Sequence, residues 1–437
     1  FLWQKRNSLK LELKEKNKYN VPNKLVFLLI IGWASITYFR VASLPVLLSD
    51  SRTMHLFQQA CYFQENSFSF HNSNSWEAAF RPLNALLWNM FFSIFLENNS
   101  LIESPQIISW VGLIFISGSI FSLLKVDCKL AGIIMLSLGF SPRILSLSTN
   151  NLIDLTSLLY FSGAIYYLLK LKIKNNFKII DLVMFGTYCG AYLGARMQGF
   201  ILIPLLIFYW LYIFLNKKLN PLGFFLIPAF ITIILGIGKY LINYSSYSSP
   251  IPLNINSSNS LSLITFYENF KILANNILDR SWNLYGILSF QANSAIIGFP
   301  INFFIVPYAF FGFLITKYRK SHESSAIFAI GLIFLFFAMI SLKSPSPNYN
   351  SRLWLPFAFT TIVFGAEIVN TLLREKKSLS IIYIFAFTIF CSVIIYGGVY
   401  RKTFVLFFLI TVLYLLKTKN IKSSFIINIL SIFVTLI

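Results

Sequence analysis

The chain has 437 residues, of which 57% are hydrophobic and 12% charged, with a mean hydropathy of +0.70 and a formal net charge of +21. Soluble domains carry about 25% charged residues, so a soluble enzyme, a disordered chain and a disulfide-stapled secreted module are excluded. Nucleic-acid binding, the other common meaning of a basic surplus, does not fit so apolar a chain.

Apolar runs of about 15–24 residues recur along the sequence, near the roughly 20 that a membrane-spanning helix needs. In chain order they cover 24–47, 106–124, 130–148, 152–170, 179–195, 197–215, 221–243, 296–316, 324–342, 353–373, 379–399, 402–416 and 423–437. Lys5 to Lys24 precede a full-length span rather than a short apolar region, so no cleavable signal peptide is read. The chain starts at Phe1 and ends inside an apolar run, which leaves either end open to being a fragment boundary.

The basic residues sort by loop. Segments 1–24, 125–129, 170–178, 217–218, 317–320, 374–377 and 417–422 hold 24 of the 36 Lys and Arg. By the positive-inside rule these segments are cytoplasmic and the intervening ones face outward. The outward set holds Asp50, Glu65, Glu77, Glu97, Glu103, Asp154, Glu268 and Asp279. Leu83–Leu96 is short and is followed by Glu97-Asn98-Asn99 with no cation, so it reads as an interfacial or re-entrant segment. The expected fold class is an all-α polytopic membrane protein with about 13 transmembrane helices and a cytoplasmic amino terminus. Its parts are a basic cytoplasmic segment 1–23, a transmembrane module 24–243 containing the first outer loop 48–105, a second outer loop 244–295 and carboxy-terminal helices 296–437.

The first outer loop opens with Asp50, and apolar Met54, Phe57, Ala60 and Cys61 recur at helical spacing over 50–63, as in a helix lying on the membrane surface. The second is rich in Ser and Asn before an amphipathic patch around Phe266–Trp282. Charges beside apolar spans are costly and mark sites. Asp50 follows the first span and Asp154 begins the fourth, both at the outer interface, with Arg52, Arg81, Arg143, Arg196, Lys343 and Arg352 at nearby outer ends. Two carboxylates among fixed cations fit a site for phosphate, which Arg clamps in bidentate fashion. Interfacial ion pairs that merely orient helices are the plain alternative for any one of these Arg. Cys61, Cys128, Cys189 and Cys391 form no CxxC or metal-ligand spacing and read as packing residues. Trp76, Trp282 and Trp354 lie near outer boundaries, where an aromatic belt is expected, and Trp282 and Tyr285 are candidates for stacking on a sugar ring.

Four stretches in order carry a resemblance. Asp50 after the first span is followed by a surface helix and then by Phe80-Arg81-Pro82-Leu83-Asn84 before a short apolar helix. Ser141-Pro142 precedes Asp154. Gly190-Ala191-Tyr192-Leu193-Gly194-Ala195-Arg196 precedes Gly199 and Pro204. Ser341-Leu342-Lys343 leads to Tyr349, Arg352 and Leu355-Pro356. Over about 25–375 this resembles the GT-C superfamily of polytopic glycosyltransferases, such as the lipid A aminoarabinose transferases and protein O-mannosyltransferases, which use polyprenyl-phosphate sugars.

The resemblance implies sugar transfer from a polyprenyl-phosphate donor to a lipid, glycan or protein acceptor on the extracytoplasmic face of the plasma (inner) membrane. It implies Asp50 as base, Asp154 at the second acidic position, and Arg196, Lys343, Tyr349 and Arg352 around the lipid phosphate. Arg52, His55 and Arg81 stand beside them as substrate-binding candidates. Asp50-Ser51-Arg52 offers one acid where many relatives have two, and Gln198 stands where some carry Lys. A divalent metal prefers several oxygen ligands, so no cofactor is expected and a metal is not favoured. Two rival readings remain: an O-antigen ligase or polymerase, kept open by the loop 244–295, and a lipid or solute transporter or flippase, for which Arg40 and Glu367 are the intramembrane charges.

Overall fold

The structure is a computed structural model that describes residues 24–43, 57–65, 84–96, 104–139, 144, 147–148, 153–174, 178–216, 221–248, 300–341 and 355–375. The chain divides into units 1–375 and 376–437, and every described residue lies in the first. The spans read over 379–399, 402–416 and 423–437, residues 249–295 of the loop read over 244–295, with Trp282 and Tyr285, and Trp76, Trp354 and Cys391 lie outside the described residues; 244–247 continue a helix instead of opening the loop.

Fourteen described elements, all α-helices, follow in order: α1 Lys24–Ser43, α2 Phe57–Glu65, α3 Asn84–Leu96, α4 Ser104–Leu123, α5 Cys128–Gly139, α6 Asp154–Ile173 and α7 Ile179–Leu193. They continue as α8 Gly199–Asn216, α9 Pro221–Gly236, α10 Gly238–Tyr247, α11 Pro300–Leu314, α12 Thr316–Ser321, α13 Ser325–Ser341 and α14 Leu355–Arg374. Among the described residues α4, α8 and α14 are long and apolar enough to cross a membrane, and α9 with α10 makes a fourth if the bent pair is one span. The span read as continuous over 221–243 is therefore two helices, meeting at 50° where Ile237 stands between Gly236 and Gly238. Glycine on both sides removes the side chains that would stiffen the joint. α3 has 13 residues, about 20 Å of rise, too short for a bilayer core of about 30 Å.

α6 lies between α4 and α7, and α7 packs in turn on α9; α14 lies against α11 and α13 and also touches α6. The α7–α9 seam is a small-residue stripe. A methyl group at Gly186 would lie 2.7 Å from the Pro228 backbone, and one at Gly190 would lie 2.9 Å from Leu235 and 3.0 Å from the Thr232 backbone. Close backbone approach of this kind replaces the hydrophobic drive that lipid removes, and Thr232 Oγ1 donates across it to the Gly186 carbonyl at 3.2 Å. Polar bonds also join the core helices: Gln106 Nε2 donates to Thr156 Oγ1 at 3.0 Å, and Trp110 Nε1 to the Gly139 carbonyl at 2.7 Å. The outer surface inverts the soluble rule, with Phe208, Leu215, Phe230 and Leu314 each more than 60% exposed, as hydrocarbon contact allows.

Among the described residues, the basic segments around Lys125, Lys172, Lys317 and Arg374 meet at one end of the bundle. Asn370 and Arg374, at the end of α14, donate to the Lys125 carbonyl at 3.2 Å and 2.5 Å, and the Asp127 amide donates back to Asn370 Oδ1 at 2.9 Å. This fixes the turn in which Lys125 takes a left-handed φ of 54°. Lys172 pairs with Glu323 at 2.9 Å, and Lys170 with Asp181 at 2.5 Å. Glu367, the acid a transporter reading would use, accepts the Glu323 and Ser324 amides at 3.2 Å and 3.1 Å and the Ser324 hydroxyl at 2.5 Å. It satisfies the orphan donors that open α13. The Arg40 side chain lies outside the described residues.

Replacing Gly190 by Leu forces α7 and α9 apart; overpacking of this kind costs about 1–3 kcal/mol. The expected outcome is a lower unfolding temperature in detergent micelles, with Gly190→Ala milder. An unchanged transition for Gly190→Leu would show that the seam is not close-packed.

Candidate active site

At the end of α6 opposite Lys172, Asp154 occupies the first turn, where the helix dipole favours a carboxylate. Arg196 sits in the turn between α7 and α8 and donates from its guanidinium to Asp154 Oδ1. The side chains are 2% and 13% exposed, so the pair is removed from water. Arg196 is the freer partner, since a guanidinium has five N–H donors.

The turn is held from three directions. Within it, the Ala195 and Arg196 amides return to the Tyr192 carbonyl at 3.1 Å and 3.0 Å. From α10, the Tyr240 hydroxyl donates to the Leu193 carbonyl at 2.9 Å. From α3, the Asn84 amide donates to the Gly194 carbonyl at 2.8 Å, while its side chain donates to the Leu235 carbonyl at 2.6 Å, next to the break in the bent pair. Buried Tyr192 packs on Phe161 with ring centroids 5.6 Å apart, and Phe200 meets Tyr240 edge-on at 4.5 Å.

Of the residues singled out in the sequence, the structure brings Asp154 and Arg196 together. Asp50, Arg52, His55, Arg81, Arg143, Lys343, Tyr349 and Arg352 lie outside the described residues. Arg81 stands three positions before Asn84, and Arg352 three before the start of α14. Asn84 and Tyr240 were not picked out by sequence reasoning. Asn84 lies inside the Phe80–Asn84 stretch, so its place was marked although its role was not. Tyr240 carried no signal apart from the neighbouring glycines. Cys128 and Cys189 are free thiols. Among the described residues no three His, Cys, Asp or Glu gather as a metal-binding group.

No protein-family model and no curated protein matches the chain. Solved structures do. ArnT from Cupriavidus metallidurans in the apo state, a lipid A aminoarabinose transferase, aligns with a TM-score of 0.55 and 12% identity over 84% of this chain and 63% of that one. The same protein bound to undecaprenyl phosphate aligns with a TM-score of 0.50 and 13% identity over 84% of this chain and 64% of that one. The fold is that of these ArnT structures. The chain spans just under two-thirds of the length of these ArnT structures. Both alignments rest on architecture, since 12–13% identity leaves few shared side chains.

A buried pair that loses one member leaves an uncompensated charge, at about 3–5 kcal/mol, whereas an apolar pair of similar volume is tolerated. Arg196→Met and Asp154→Leu are each expected to lower the unfolding temperature sharply, and the double variant to recover most of the loss. Additive losses in the double variant would show that the two side chains are not coupled.

Proposed function

We propose that the protein is a membrane glycosyltransferase that moves a sugar from a polyprenyl-phosphate carrier to an acceptor hydroxyl on the extracytoplasmic face, with inversion at the anomeric carbon. The observation that carries this reading is the GT-C fold with the buried Asp154–Arg196 pair at the end of the bundle away from the basic loops. One aligned ArnT structure holds undecaprenyl phosphate, which supports a lipid-phosphate donor. Glu367 is engaged in capping α13, which takes away the acid that favoured transport.

In this reading the donor's isoprenoid tail lies in the bilayer and its phosphate reaches the outer end of the helices. The acceptor oxygen attacks the anomeric carbon from the face opposite the phosphate. The bond from that carbon to the phosphate oxygen breaks, and the electron pair leaves with the lipid phosphate. Asp50 takes the acceptor proton as general base. Arg196, Lys343 and Arg352 take up the charge that grows on the leaving phosphate, where low dielectric makes fixed cations effective without a metal. Asp154 acts through Arg196: it holds the guanidinium so that its free donors face the phosphate. Arg52, His55, Arg81 and Tyr349 complete the polar wall on the sugar and acceptor side.

The test is transfer in proteoliposomes supplied with a panel of sugar-loaded undecaprenyl phosphates and hydroxyl acceptors. Asp50→Asn is expected to lower turnover by about 10²–10⁴-fold with expression retained. Arg352→Ala is expected to raise the donor KM more than it lowers kcat. Full turnover in Asp50→Asn would remove that residue from the chemistry, and no transfer from any donor by the native protein would overturn the reading.

A further inference from the structure

α10 turns Lys239 and Asn243 inward and Leu241 and Tyr244 outward, with Ser245 and Ser246 also exposed. Leu241 is 60% exposed and Tyr244 62%, whereas Lys239 and Asn243, four residues apart and so on one face, are 6% and 0% exposed. In a bilayer this is the pattern of a helix lining a polar interior. α2 meets it at Tyr62 and buries Gln58, Gln59 and Tyr62 while leaving Ala60 and Gln64 exposed. The Lys239 ammonium stands 5.3 Å from the centre of the Tyr62 ring, and Gln58 Nε2 donates to the Tyr62 hydroxyl at 2.7 Å, which fixes that ring.

Gln59 has no such use inside the protein. Its Nε2 and Oε1 are both buried without a hydrogen-bond partner. Proteins seldom retain a buried carboxamide with neither end bonded, because desolvation is then uncompensated. A group that donates from one end and accepts at the other matches neighbouring hydroxyls on a sugar ring, each of which can do both. The position also adjoins the site already described. Tyr240, next to Lys239, bonds the Leu193 carbonyl at 2.9 Å and reaches the Arg196 carbonyl at 3.5 Å.

We propose that α2 and α10 form the subsite for the sugar-phosphate end of the donor, with Gln59 bonding sugar hydroxyls through both ends of its carboxamide and Lys239 neutralising the phosphate. This rests on the polyprenyl-phosphate reading above and adds two binding residues to it. It separates two recognitions that the Arg residues alone cannot: Lys239 reads the charge that every polyprenyl phosphate carries, and Gln59 reads whether a sugar is attached.

The experiment is binding to the native full chain in nanodiscs of bare undecaprenyl phosphate and of the same lipid carrying a neutral hexose, an N-acetylhexosamine or an aminopentose. For the loaded lipid that the native protein prefers, Gln59→Met is expected to lower affinity by about tenfold or more, the scale of lost hydroxyl recognition. Binding of the bare lipid should not change. The ligand-free unfolding temperature should stay level or rise, because no internal bond is lost. Lys239→Met should weaken both lipids. Undiminished preference for the loaded lipid in Gln59→Met, or a large fall in its ligand-free unfolding temperature, overturns the subsite alone. Native protein that binds neither lipid overturns the donor reading and the subsite with it.

Discussion

The structure depends on one constraint: charge and backbone polarity inside an apolar bundle must be answered within the bundle. The turn after α7 shows how this is done. Arg196 would be intolerable there alone, and Asp154 at the start of α6 answers it. The turn is then fixed by Tyr240 from α10 and Asn84 from α3. Asn84 also covers the Leu235 carbonyl beside the break in the bent pair. A short helix, a broken helix and two core helices thus share a single polar knot.

The opposite end uses the same rule for a different purpose. Asn370 and Arg374 close on Lys125, Lys172 on Glu323, and Glu367 on the opening of α13. Each of these contacts fixes a helix end, so that end is a frame. At the Arg196 end a guanidinium retains donors beyond its bond to Asp154, and the Gln59 carboxamide is unbonded. Such groups carry an energetic cost that binding recovers, which is why that end is the reactive one in this account.

Much of this was legible in the sequence because hydropathy and loop charge are strong, local signals. The spans over 106–124, 197–215 and 353–373 agree with α4, α8 and α14 to within a few residues. The grouping of Lys125, Lys172 and Arg374 on one side follows from counting cations. The break at Ile237 was not legible, since a 23-residue apolar run hides a bend that two glycines permit but do not require. Asp154 and Arg196 were each singled out, but their pairing joins residues 42 apart and depends on how α6 packs beside α7. Lys239 lies within the apolar run 221–243 and carries no linear signal, because nothing in a linear reading tells an inward face of α10 from a lipid-facing one. Gln59 is legible only from burial.

The proposed chemistry requires the Arg196 end to receive a lipid phosphate. The most direct measurement is an experimental structure of the protein in nanodiscs containing undecaprenyl phosphate. Phosphate density is expected within hydrogen-bond reach of the Arg196 guanidinium, on the side away from Asp154, with the isoprenoid tail running into the bilayer. Phosphate density among Lys125, Lys172 and Arg374 instead, with the Arg196 end empty, would contradict it.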